Sequence, residues 1–209
     1  MVRKNSIQKF YDTYESIQIE EPEIYETAKK YLKEPVLDVG CYDGNKILKL
    51  RALGFKEIQG TDIAIKLSPE AKKLSTKTFF THNFEHGATK KKYGSVLCVE
   101  VLEHVFDTNA FLKNIAKSLK KGGTVVFTTP NLGWVWDRAM ILLGKGKRLT
   151  GGFEKSHIRF FTVQTAREAF EKNGFMVQSI KGYEVKRFLK HVPMPTTWRC
   201  GLIIVAKKK

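Results

Sequence analysis

Short runs of glycine and acidic residues follow two stretches that are typical of buried β-strands. Asp38-Val39-Gly40-Cys41-Tyr42-Asp43-Gly44 comes after the first, and Asp62 ends the second, 18 positions after Gly44. Glycine lacks a Cβ, so at Gly40 and Gly44 the main chain can adopt positive φ and a ligand can lie close to it. Nucleotide-binding α/β sheets carry an acidic residue near this separation, where it accepts hydrogen bonds from ribose hydroxyls. The two features together predict a nucleotide-type site.

Two further groups carry side chains that can hold or move a proton. Glu100-Val101-Leu102-Glu103-His104 follows another apolar stretch and brings two carboxylates and an imidazole to the end of a strand, where α/β sheets bind ligands. His157 stands just before a predicted helix. His104 and His157 are candidate catalytic residues, because an imidazole can accept a proton or orient a hydroxyl near neutral pH. A purely structural role stays open for both, and it is the favoured role for Glu103.

The elements that must position these residues alternate between strand and helix patterns. Strands are predicted at 36–39, 58–62, 78–81, 95–99, 124–129, 176–183 and 202–206. Helices are predicted at 5–33, 45–53, 68–74, 107–123, 132–144 and 163–172. At 209 residues the chain suits a single domain with one core.

With these motifs the chain resembles the class I S-adenosylmethionine-dependent methyltransferases over about residues 30–180. The run from Asp38 to Gly44 is similar to the family's first motif, Asp-x-Gly-x-Gly-x-Gly, with Tyr42 in place of the middle glycine. Asp62 matches the family's ribose-binding acidic residue. Further matches are Leu119-Lys120-Lys121-Gly122-Gly123 before strand five, the Glu-x-Leu-Glu-His stretch from Glu100, and the His-x-Arg-x-Phe-Thr stretch from His157. The last two are typical of small-molecule branches of the family.

The resemblance implies an α/β fold with a doubly wound, seven-stranded, mostly parallel sheet. In this Rossmann-like methyltransferase fold the last strand is antiparallel and helices cover both faces. It also implies S-adenosylmethionine as cofactor, bound by Asp38, Gly40, Cys41, Gly44, Asp62, Ile63, Asn83, Phe84, Glu100 and Tyr11. For Asn83, which stands where the family usually has aspartate, an Asx turn is the alternative. For Tyr11, the alternative is an aromatic residue of a helix packed on the sheet.

The same resemblance divides the single domain of residues 1–209 into four parts. Residues 1–33 form a helical cap, 34–130 form the cofactor-binding half, and 162–209 complete the sheet. Residues 131–161 exceed the usual connection length, which predicts a functional insertion, either a substrate lid with glycine hinges, a dimer face or a membrane-surface helix.

Charge is distributed unevenly along the chain, whose formal net charge is +16. Residues 1–130 hold 21 basic and 16 acidic residues, whereas residues 131–209 hold 16 and 5. Such a basic excess favours binding of nucleic acid, an acidic substrate or anionic lipid headgroups. The alternative is a lysine-rich surface that only keeps the protein in solution. The three widely spaced cysteines favour a reducing compartment, and no apolar run reaches membrane-span length, so we expect a cytoplasmic protein.

Methyl transfer from a sulfonium needs mainly the alignment of donor and acceptor without water, and a base only where the acceptor must lose a proton. We therefore expect no metal cluster and no nucleophile. The primary hypothesis is in-line methyl transfer to a small or lipid-linked acceptor. The alternatives are an RNA methyltransferase that uses the basic last third, a non-catalytic cofactor-binding or partner protein, and a dehydrogenase.

Overall fold

The computed structural model describes residues 22–145, 157–183 and 193–209, and these contain seven strands. The strands are β1 (Val36–Val39), β2 (Ile58–Asp62), β3 (Phe79–Thr81), β4 (Tyr93–Val99), β5 (Leu119–Pro130), β6 (Phe175–Tyr183) and β7 (Gly201–Lys208). They form one sheet in the order β3-β2-β1-β4-β5-β7-β6. β7 runs antiparallel to β5 and β6, and the other neighbouring pairs are parallel. The predicted fold class is confirmed.

Helices cover both faces of the sheet. They are α1 (Pro22–Tyr31), α2 (Asn45–Ala52), α3 (Thr108–Ser118), α4 (Val135–Leu142) and α5 (Val163–Lys172). Successive strand residues point to opposite faces, so Val36 packs in one core cluster with α1 and α2, and Leu37 packs in the other with α3 and α5. None of the helices in the described part of the chain has the length and hydropathy needed to cross a membrane.

Side-chain caps begin α3 and α5. The Asp107 side chain accepts a hydrogen bond from the Ala110 amide (2.9 Å), and Thr162 forms a capping box with Thr165. The predicted end of α3 at Gly122-Gly123 is wrong, because buried Leu119 already pairs with Tyr93 as part of β5.

The prediction of an α-helix over 68–74 is also wrong. Only Ala71–Lys73 are helical, in a single 3₁₀ turn. The Ser68 hydroxyl accepts the Ala71 amide at 3.2 Å, and Leu74 already has an extended conformation, with ψ of 159°. Seven residues give too few hydrogen bonds to sustain an α-helix here.

Gly60 brings β2 close to the loop that follows β1. A Cβ at Gly60 would lie 2.5 Å from Ile47 Cδ1 and 2.9 Å from Cys41 Cβ. Ile47 lies on α2 and Cys41 precedes it, and both side chains are fully buried. The missing Cβ therefore lets the loop after β1 pack directly on β2.

We expect Gly60→Ala to lower the free energy of unfolding by about 1–3 kcal/mol, because buried atoms must shift to admit the methyl group. Gly87→Ala is the matched control, since nothing lies within 4 Å of a Cβ there. Urea unfolding of both variants measures the difference. Equal stability of the two variants would contradict this packing account.

Candidate functional site

The carboxyl ends of the parallel strands meet at one edge of the sheet. Val39 pairs with Thr61 of β2 and with Cys98 of β4, and Asp62 pairs with Thr81 of β3. The residues that follow these positions therefore share one edge, where parallel α/β sheets bind ligands. These residues include nearly all of the predicted site positions.

The glycine turn after β1 needs positive φ at several positions. Gly40 and Gly44 both have φ of 79°, and Tyr42, between them, has φ of 37°. The Gly40 amide donates to the Thr61 carbonyl (2.8 Å), which fixes the turn on β2. A Cβ at Gly40 would lie 2.2 Å from Val101 Cγ2, so glycine lets the segment after β4 pack against the turn.

The Asp62 carboxylate joins the turn to β2. Its Oδ2 accepts the Tyr42 amide and its Oδ1 accepts the Ala64 amide, both at 3.0 Å. Burial raises the pKa of Asp62, while these amide hydrogen bonds and the charge of Lys46 act in the opposite direction. The next side chain, Ile63, is 39% exposed beside it.

Asp38 is fully buried, and neither of its carboxyl oxygens has a hydrogen-bond partner among the described residues. Burial is the main cause that raises its pKa to about 7; Lys46 lowers it, and Asp62 and Asp43 raise it further. Burial also raises the pKa of the Cys41 thiol, with Asp38 as the second cause. Cys41 therefore behaves here as a neutral core residue.

The predicted cofactor-binding residues after β3, Asn83 and Phe84, lie in an Asx turn. Asn83 Oδ1 accepts the Glu85 amide at 2.8 Å, and the Asn83 carbonyl accepts the His86 amide. The Phe84 side chain is buried in the core against Phe111, so any contact with a ligand would come from its main chain. Tyr11, the remaining predicted contact, lies outside the described residues.

Glu100 follows β4 with φ of 52°, a value that non-glycine residues rarely adopt and that is common at ligand sites. Its Oε1 accepts hydrogen bonds from the hydroxyls of Thr128 (2.7 Å) and Tyr183 (2.9 Å). Burial raises its pKa, and the hydrogen bonds from Thr128 and Tyr183 oppose that rise.

The two candidate catalytic histidines lie together beside Glu103. The rings of His104 and His157 pack edge to face, with centroids 4.8 Å apart. His104 Nε2 is 3.9 Å from Glu103 Oε1. Burial and the neighbouring His104 lower the pKa of His157 to about 4, so this ring is neutral at pH 7.

Glu103 links the segment that carries His157 to the end of β4. Its carbonyl accepts the amides of Ile158 (2.9 Å) and Arg159 (3.0 Å). Its side chain is 1% exposed, with Oε2 accepting the Thr129 hydroxyl at 3.3 Å. Burial, and next the charge of Glu100, raises its pKa well above the ordinary value.

Sequence reasoning missed Thr128, Thr129 and Tyr183 as partners of the two glutamates. The two threonines lie just before Pro130 at the end of β5, and the parallel register pairs Thr128 with Val99, directly before Glu100. That register was a usable signal, because neighbouring parallel strands end side by side. Tyr183 had no such signal, since its contact spans 83 positions along the chain.

Residues 21–180 match the family model described as "Methyltransferase domain". A curated relative, "Ubiquinone biosynthesis O-methyltransferase" from Rickettsia akari, is 33% identical over 103 residues, which cover 47% of this chain and 41% of that protein. This chain thus matches less than half the length of that relative.

Among solved structures, an S-adenosylmethionine-dependent methyltransferase from Mesorhizobium loti has a TM-score of 0.65 at 18% identity, covering 90% of this chain and 96% of the other. Magnesium protoporphyrin IX methyltransferase from Synechocystis, solved with bound SAH, has a TM-score of 0.57 at 19% identity, covering 98% of this chain and 88% of the other. These likenesses concern the fold. Since the family model spans most of the chain, the chain belongs to the methyltransferase-domain family and has the fold of S-adenosylmethionine-dependent methyltransferases.

Proposed function

We propose that this chain is an S-adenosylmethionine-dependent methyltransferase that methylates an oxygen of a small or lipid-linked acceptor. The observation that carries the proposal is the glycine turn held on the Asp62 carboxylate by the Tyr42 amide. Similarity to proteins named ubiquinone biosynthesis O-methyltransferases supports oxygen as the accepting atom and a small acceptor.

The residues at the edge of the sheet fit this cofactor. S-adenosylmethionine carries a sulfonium and an ammonium group, and a buried carboxylate without a partner, such as Asp38, is stabilised by a nearby cation. The oxygens of Asp62 each accept one amide and keep further acceptor capacity for ribose hydroxyls. The turn from Gly40 to Gly44 allows a ligand to approach the main chain closely.

In the proposed reaction the chain's own residues bind and orient the methyl donor and the acceptor, and they exclude water. S-adenosylmethionine, when bound, supplies an electrophilic methyl group on a positively charged sulfur. The segment from Glu100 to His104 packs on the glycine turn through Val101, and in this proposal it lies beside the methyl donor. His157, neutral at pH 7, can form a hydrogen bond with an acceptor hydroxyl through one ring nitrogen and orient it.

A second candidate, RNA methylation, rests on the basic excess of residues 131–209. Counterion release makes RNA binding weaken steeply as salt rises. Gel shifts of an unstructured RNA between 50 and 200 mM salt therefore separate the candidates. The small-acceptor proposal predicts no saturable shift at the higher salt, and micromolar affinity there would favour RNA.

We expect Asp62→Ala to weaken S-adenosylmethionine binding roughly 10-fold to 100-fold, because hydrogen bonds to a charged group contribute about 1.5–3 kcal/mol. Isothermal titration calorimetry measures the affinity. Glu57→Ala is the matched control, since this exposed carboxylate lies just before the other end of β2. An Asp62→Ala variant that folds and binds with unchanged affinity would contradict the proposed ribose contact.

Asp38→Asn should stabilise the ligand-free protein at high pH while weakening S-adenosylmethionine binding. The folded-state pKa of about 7 lies above the ordinary value of 3.8, so the folded protein holds its proton more tightly and wild-type stability falls as pH rises through this window. Asparagine does not titrate, so the free energy of unfolding of the variant should exceed that of the wild type. This difference should grow from pH 5 to pH 8, up to about 4 kcal/mol.

Thermal unfolding at pH 5, 6, 7 and 8 measures the stability difference between the Asp38→Asn variant and the wild type. Isothermal titration calorimetry at pH 8 measures the affinity for S-adenosylmethionine. Glu57→Gln, at an exposed carboxylate, serves as control and should show neither effect. A stability difference that does not change with pH, or an unchanged affinity, would count against a counter-charge role for Asp38.

A further inference from the structure

We propose that Glu103, His104 and His157 form a binding site for one divalent transition-metal ion of the zinc or manganese type. Each residue offers one ligand atom, and the three atoms lie within 4.8 Å of one another. Two imidazoles and one carboxylate are a common set of protein ligands for such ions. The sequence had suggested no metal, because these residues are spread over 55 positions and lack a recognisable ligand spacing.

Small side-chain movements would bring the three ligand atoms to bonding distance. Ligands held about 2.1 Å from a shared ion at the tetrahedral angle lie about 3.4 Å apart. His104 Nε2 and Glu103 Oε1 are 3.9 Å apart, and no pair of the three ligand atoms is more than 4.8 Å apart, so each distance must close by about 1.4 Å or less. Both histidines are half-buried, which leaves their rings room to rotate.

Glu103 Oε1 supplies an independent observation. This oxygen is buried without a hydrogen-bond partner in the described residues, on a side chain that is 1% exposed. Residues 22–145, 157–183 and 193–209 provide no lysine or arginine ion pair for Glu103 or for the neighbouring Glu100. Burying such a group is costly unless a cation compensates it, and a bound metal ion would do so.

The scaffold around these ligands is suited to hold them. The Thr129 hydroxyl donates to Glu103 Oε2, the kind of outer contact that orients a metal-binding carboxylate. The Glu103 carbonyl accepts the amides of Ile158 and Arg159, which ties the segment of His157 to the segment of Glu103 and His104. Three protein ligands leave at least one coordination position for water or another molecule.

The role of this ion rests on the proposed methyltransferase function. An acceptor hydroxyl at the open position would lose its proton to solvent more readily, because a bound cation lowers the pKa of a coordinated oxygen. That oxygen then forms a bond to the methyl carbon, and the sulfur keeps the electron pair of the broken carbon–sulfur bond. S-adenosylhomocysteine and the methyl ether are the products.

Calorimetric titration of the untagged, chelator-treated full chain with ZnCl₂ and with MnCl₂ tests the site directly. We expect one ion per chain with micromolar or tighter affinity, and at least 10-fold weaker binding by Glu103→Gln and by His157→Ala. MgCl₂ should bind more weakly, since magnesium prefers oxygen ligands. His86→Ala is the matched control, because this exposed histidine lies outside the cluster, and its affinity should equal that of the wild type.

Absence of one-to-one binding by the wild type, or equal affinity of the wild type and both cluster variants, would overturn the proposal. Half-buried His157 is replaced with little loss of packing, so His157→Ala keeps the test valid if Glu103→Gln does not fold. S-adenosylmethionine binding by the metal-free chain is measured separately. If it fails while zinc binds, the proposed function falls and the metal site stands; the reverse result rejects only the metal site.

Discussion

The hydrogen bonds from the main chain to the Asp62 carboxylate hold the candidate site together. They join the end of β2 to the turn after β1 through Tyr42, and to the following loop through Ala64. Because Tyr42 adopts positive φ without being glycine, the turn is strained, and this strain persists only where surrounding contacts fix the backbone. Asp62 provides such contacts, so a single side chain shapes the turn, and we propose that the same side chain binds the ribose.

A second constraint is the cost of burying acidic groups at one edge of the sheet. Asp38, Glu100 and Glu103 all have a pKa raised chiefly by burial. Folding alone would favour apolar residues at these positions, since buried carboxylates without cations destabilise a protein. A ligand with cationic groups, together with a metal ion beside the histidines, would offset that cost. This is how the proposed cofactor and the proposed ion account for the same electrostatic feature.

The sequence predicted the strands and the glycine turn well, because hydrophobic periodicity and glycine positions are local signals. The prediction was wrong where a contact between distant residues outweighed the local pattern. Leu119 was expected in a helix, but it pairs with Tyr93 and belongs to β5. The sequence indicated His104 and His157 separately, but their ring contact depends on a main-chain link through Glu103 that no spacing encodes. Their roles, like those of the cofactor residues, stay predictions.

A crystal structure of the chain with S-adenosylhomocysteine tests the central claim most directly. The account predicts both ribose hydroxyls within about 3 Å of the Asp62 oxygens. It also predicts that the sulfur of the ligand faces the segment from Glu100 to His104, with the methionine end near Asp38. A nucleoside bound elsewhere, or a ribose in solvent while Asp62 contacts only Tyr42 and Ala64, would contradict it.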